Sequence, residues 1–195
     1  MSIASYFMVV FSQHKVMNNQ NQEIKRMKVI QPVRKMHRCT QVWEGTRDEV
    51  FPLLCPVKEK DWVPDWDPKL VISNSGVMEQ ECLFVEEDTP SDAIWVVSKH
   101  DPVKFEVAMY RIVPEVIVGR FAVTLLSEEG NTTNASVSYE QTALGEDGEK
   151  IVNEFTAESF AEFMDEFTLA INHYLTTGKM IEGNELIKQE AKIHH

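Results

Sequence analysis

Between residues 132 and 144 apolar and polar positions alternate: Ala135, Val137, Tyr139 and Gln141 share one face, and Asn134, Ser136, Ser138, Glu140 and Thr142 share the other. That is the period of a strand with one dry and one wet face. A different period governs the segment that follows. Phe160, Phe163, Met164, Phe167, Ile171, Tyr174 and Leu175 recur at helical spacing, while Glu158, Glu162, Asp165, Glu166 and Asn172 fall mainly opposite, so the pattern predicts a long amphipathic helix. Gly178 supplies its stop. Such a helix must cover an apolar sheet face.

The rest of the chain supplies that sheet. Met36 to Glu44 is rich in β-branched and aromatic residues and reads as a first strand ended by Gly45. Thr46 stands three residues before Glu49, the capping-box spacing that opens a helix. Pro52 is tolerable there only in a first turn or at a break between two short helices, the second of which is expected over Val57 to Asp61. Pro64 and Pro68 hold the segment around Trp62 and Trp66 extended or turned. Six short strands are then expected at 69–75, 79–87, 93–100, 104–113, 117–128 and 132–144, with no helix before Glu146. Their short connections predict an antiparallel meander.

Composition narrows the reading. With 195 residues and 43% hydrophobic content, the chain can bury one sizeable core but divides poorly into two. Three units are expected: a flexible extension over 1–35, one domain over 36–178 and a polar tail over 179–195. The net charge of −12 is uneven, since residues 1–38 carry seven Lys or Arg against Glu23 alone. The acidic remainder does not invite nucleic acid and favours a soluble monomer or weak dimer. Cys39, Cys55 and Cys82 are odd in number, with no CxxC pair, which argues against a disulfide framework and a structural zinc site and fits a reducing cytoplasm. The apolar run Ile3 to Phe11 is too short to span a bilayer and lacks the flanks of a signal peptide. Followed by basic residues, it leaves peripheral membrane contact as a minor reading beside a loosely packed extension.

The order strand, two short helices, six strands, long helix is similar to that of the START, pollen-allergen and polyketide-cyclase superfamily, called SRPBCC. The likeness covers roughly residues 36–176. The text from Val50-Phe51-Pro52-Leu53-Leu54-Cys55-Pro56-Val57 to Trp62-Val63-Pro64-Asp65-Trp66-Asp67 resembles the helix-loop segment of one bacterial-type branch. Ile94-Trp95-Val96-Val97 and Val107-Ala108-Met109-Tyr110-Arg111-Ile112-Val113-Pro114 look like its downstream echo. The resemblance implies an α+β helix-grip fold, a curved antiparallel sheet of about seven strands around the long helix. It also implies a cavity between helix and sheet for a small hydrophobic molecule, a lipid, polyketide or aromatic metabolite, with no cofactor. Carried onto this sequence, the wall candidates are Trp62 and Trp66 at the mouth, Phe84, Met109, Phe121 and Tyr139 on the sheet, and Phe163 and Phe167 on the helix. Arg111 is a candidate anchor for a polar end of the ligand.

Candidate chemistry is sparse. His100, Glu81, Tyr110, Arg111, Arg120 and Tyr139 are the groups that would serve as acid, base or carbonyl anchor if they pointed inward. A solvated His100 in a turn is the simpler expectation, and Arg111 and Arg120, on adjacent strands, would flank one anion only if they shared a face. GxGxxG, GxxxxGK[ST], HExxH and GxSxG are all missing from the sequence, which removes the nucleotide cradles, zinc-protease helix and serine-hydrolase elbow that those patterns build. Three functions follow from the container: carriage of a hydrophobic molecule, a cyclase- or hydrolase-like enzyme, or a surface interaction module resembling chaperone activators. The enzyme needs at least two ionisable or hydroxyl groups on the cavity wall. The interaction module needs a filled interior and an exposed Trp62/Trp66 patch.

Overall fold

The structure is a computed structural model, and it describes residues 33–87 and 91–182. The extension up to residue 32, part of the predicted turn at 88–92 and the tail beyond Glu182 lie outside the described residues. Seven strands form one antiparallel sheet: β1 Arg34–Glu44, β2 Leu70–Ile72, β3 Leu83–Glu86, β4 Ala93–Asp101, β5 Glu106–Val113, β6 Ile117–Glu129 and β7 Thr132–Ala143. Their order is β1-β7-β6-β5-β4-β3-β2, so β2 to β7 are the expected meander and β1 is added beside the last strand. The chain has an α+β helix-grip fold.

The short helices follow their local signals. The capping box is formed, with the Thr46 amide donating to Glu49 Oε2 at 2.8 Å and the Glu49 amide donating to Thr46 Oγ1 at 3.4 Å. It opens α1, Arg47–Val50, which continues as a 3₁₀ turn at Phe51–Leu54 with Pro52 near its start. Pro56 then occupies the first position of α2, Pro56–Glu59, where its missing N–H costs nothing. The helical path runs on for a turn, since the Trp62 and Val63 amides both donate to the Glu59 carbonyl, at 3.1 and 2.7 Å.

Strands β2 and β3 are shorter than the pattern predicts. Side chains hold Ser73 to Val77 as a tight turn: Ser73 Oγ donates to the Val77 carbonyl at 2.6 Å and accepts from the Gly76 amide at 3.0 Å. Hydroxyl-to-backbone bonds of this kind replace the ladder. The register shifts between Val97 and Lys99 on β4 and between Leu125 and Ser127 on β6, and such irregularities bend a sheet.

The concave face receives two helices, α3 Glu146–Glu154 and α4 Ala157–Thr177. The predicted helical stretch from Glu146 is thus broken at Phe155. The reason is a second capping box, in which Thr156 Oγ1 accepts from the Ser159 amide at 3.1 Å and Ser159 Oγ from the Thr156 amide at 3.0 Å. Gly178 ends α4 in the left-handed conformation at φ 69°, as its position predicts. Gly148 in α3 serves another purpose: a Cβ there would lie 1.8 Å from the Val116 carbonyl oxygen, so only glycine lets this helix lie against the β5–β6 connection.

Asn172 departs from its expected place on the solvent side. Its Oδ1 accepts from the Glu44 amide at 2.8 Å and its Nδ2 donates to the Val42 carbonyl at 3.3 Å. Thr168 adds to this clasp, accepting from Trp43 Nε1 at 3.0 Å and donating to Gln41 Oε1 at 3.0 Å. The edge strand β1 is therefore tied to α4 through polar groups, and its free main-chain edge is partly covered.

Candidate functional site: a cavity under the long helix

The antiparallel register brings three pairs of apolar side chains directly opposite one another, Phe84 with Trp95, Met109 with Phe121, and Val107 with Val123. Residues opposite each other in a sheet project from the same face, and these six form the floor of a cavity. Phe163 and Phe167 of α4 roof it, and Leu54, Glu59, Val63 and Trp66 from the short-helix segment close its end. The centre of a water-sized sphere can move through about 50 Å³ of it. Aromatic rings stiffen the wall: Phe84 and Trp95 stack with centroids 5.4 Å apart and planes within 9°, and Trp66 meets Phe84 edge-on at 5.9 Å.

The polar atoms on this wall are few. Trp66 Nε1 donates to the Pro56 carbonyl at 2.8 Å, and Trp95 Nε1 donates to Glu86 Oε2 at 2.9 Å. Both indole donors are thereby occupied. Glu59 differs: the residue is half-buried, it borders the cavity among apolar side chains, and among the described residues no hydrogen bond or ion pair with the protein reaches its carboxyl. Burial pushes its pKa up to about 8, and the neighbouring Glu86 carboxylate adds repulsion in the same direction. Glu86 is itself engaged, because Arg111 Nε lies 3.7 Å from its Oε2 and the Arg111 guanidinium sits 5.9 Å from the centroid of the Trp95 ring.

Of the residues singled out from sequence, Trp66, Phe84, Met109, Phe121, Phe163 and Phe167 border the cavity. Trp62 does not. It is fully buried behind the wall, donates to the Leu53 carbonyl at 3.0 Å and packs edge-on against Phe167 with centroids 5.0 Å apart. Tyr139 also lies off the cavity, with its ring set over Gly119, where a Cβ would come within 2.7 Å of it. Arg111 is buried beside the cavity and turned to Glu86 and Trp95.

Arg111 and Arg120 cannot flank one anion. Arg111 pairs with Gly119, whereas Arg120 pairs with the exposed Tyr110, so alternation puts the two guanidinium groups on opposite faces. His100 is not in a solvated turn but near the end of β4, stacked on Phe51 with centroids 5.3 Å apart. Burial lowers its pKa, against the opposing pull of Asp101 and Glu79. Glu81 is exposed, at φ 67°. Sequence reasoning passed over Glu59, although a signal was present: it lies three and four residues before the buried Trp62 and Val63, the spacing of one helical face. All three cysteines are free. Among the described residues no group of His, Cys, Asp and Glu is arranged to hold a metal, and no helix is long and apolar enough to cross a membrane.

No protein-family model matches the chain, and no curated protein matches it. Solved structures do. A norcoclaurine synthase mutant from Thalictrum flavum, bound to a transition-state analogue, superposes with a TM-score of 0.55 at 12% identity, covering 76% of this chain and 98% of that one. A Staphylococcus aureus protein of unknown function gives 0.56 at 10% identity, over 76% and 97%. A START superfamily protein from Mycobacterium smegmatis gives 0.51 at 10% identity, over 72% and 97%. At these identities the likeness is one of fold, and it is the helix-grip fold described above.

Proposed function

We propose that this domain binds a small, largely apolar molecule in the cavity between α4 and the sheet. The observation that carries the reading is the wall itself, on which, among the described residues, Glu59 is the one ionisable residue and the other lining side chains are aliphatic, aromatic or a thioether. Apolar concavities with a single directed polar group are the usual form of a small-molecule site. The size of the space favours a ligand of one or two rings over a lipid chain. Neither alternative function finds the same support. Acid–base catalysis asks for two converging groups and the described residues of the wall offer one, while a docking patch of exposed indoles is at odds with the complete burial of Trp62 and the tethered N–H of Trp66.

The test is a titration with small ring compounds followed by tryptophan fluorescence, because Trp66 and Trp95 both face the cavity, and by thermal melting. A ligand at a hundred times its Kd is expected to stabilise the native state by about 2.7 kcal/mol. Val107→Phe, which fills the space, is expected to abolish both responses while the protein stays folded. Undiminished binding to that variant would place the ligand elsewhere.

A further inference from the structure

Glu59 is an unusual occupant of such a wall. A half-buried carboxyl group set among apolar side chains costs stability unless something hydrogen-bonds to it, yet the protein supplies no partner among the described residues. The Trp95 and Trp66 indoles donate to Glu86 and Pro56, and the Arg111 guanidinium is ion-paired with Glu86 on β3. The charged residues around it on its own segment face away, with Lys58 set 4.0 Å from Asp61 and Lys60 2.6 Å from Asp67 at the surface. The capacity left over belongs to whatever enters the cavity.

We propose that Glu59 is the specificity-determining residue of the cavity, donating one hydrogen bond to an acceptor oxygen on an uncharged and otherwise apolar ligand, such as a ketone or an ester. This rests on the ligand-binding reading and deepens it. The charge around the group decides the sense of the bond. Glu86 is a second acid close by, its charge met by Arg111 on β5, so the arrangement is neutral when Glu59 keeps its proton. A ligand carboxylate would meet the repulsion of Glu86, and the nearby Arg111 already balances that acid. A raised pKa of about 8 agrees, since it leaves the proton in place at neutral pH. A wholly apolar ligand would fit the rings but leave the carboxyl unpaired.

A series on one ring scaffold tests this: cyclohexanone, methylcyclohexane, cyclohexylammonium and cyclohexanecarboxylate, each titrated into the intact protein by calorimetry or fluorescence between pH 6 and pH 9.5. At pH 6 cyclohexanone is expected to bind at least about tenfold more tightly than methylcyclohexane, and the carboxylate to bind weakest. The advantage of the ketone is expected to fade as the pH passes about 8. Glu59→Gln retains a donor, so it should keep the preference for the ketone and lose the pH dependence. Glu59→Leu should bind ketone and hydrocarbon alike, and melting curves establish that both variants are folded. Tightest binding of cyclohexylammonium, rising with pH, would overturn the donor role, and so would a ketone preference that survives in Glu59→Leu. Equal binding of ketone and hydrocarbon by the unaltered protein would overturn it too while leaving the cavity a binding site. Failure of all four probes to bind would overturn the binding reading and this one together.

Discussion

Glu59 has a consequence for stability that does not depend on any ligand. Its pKa lies near 4.5 when exposed and is pushed up to about 8 in the folded chain. Between those values the native state holds a proton that the unfolded state has released, so folding stability falls as the pH rises through that window. Each unit of displacement corresponds to about 1.4 kcal/mol, and the half-exposed position of Glu59 reduces the full effect. Urea unfolding of Glu59→Gln beside the parent is therefore expected to show the variant gaining roughly 2–4 kcal/mol in relative stability between pH 5 and pH 9. A difference that stays flat with pH would mean that the carboxyl is solvated. At this scale the sequence was least legible. Glu59 sits in a helix of four residues, too short for periodicity to reveal its inward face. Arg111 and Arg120 needed the register of β5 with β6 before their opposite facings could be told.

Elements were read more easily, because each carries its period over many residues. β7 alternates along its whole length between buried and half-buried positions, and α4 buries Phe160, Phe163, Met164, Phe167, Ala170 and Ile171. Phe167 is the densest point of that face, with Trp43, Trp62 and Phe163 ring centroids 5.7, 5.0 and 6.3 Å away. Phe167→Asp would bury an unpaired charge among these rings. It is expected to cost several kcal/mol and to abolish a cooperative melt, and an unaltered melting curve would contradict the packing of α4 on the sheet. What periodicity missed in the elements was polar. Asn172 looks like a solvent residue on a helical projection, but the edge strand β1 needs an amide to satisfy Val42 and Glu44. The break at Thr156 escaped notice because Ser159 stands where a capping box more often has Glu or Gln.

For the molecule as a whole, the order of elements was enough to give the container and not enough to give its contents. An aromatic side chain that fills a core and one that lines a cavity obey the same spacing, so Trp62 and Trp66, four residues apart, could not be separated until one proved buried behind the wall and the other part of it. The topology has a further effect. β1 is the first described strand and pairs with β7, the last, so that Arg34 Nε reaches Thr142 Oγ1 across 108 residues of chain. Contacts of such separation slow folding, and refolding followed by stopped-flow fluorescence is expected to take milliseconds to seconds, not microseconds. On a ribosome the delay is longer. At roughly 5–20 residues per second the interval between the two strands amounts to about 5 to 20 seconds of synthesis, during which β1 has emerged and its partner has not. The seal of the sheet, and with it the cavity, therefore cannot close until β7 has followed β1 off the ribosome.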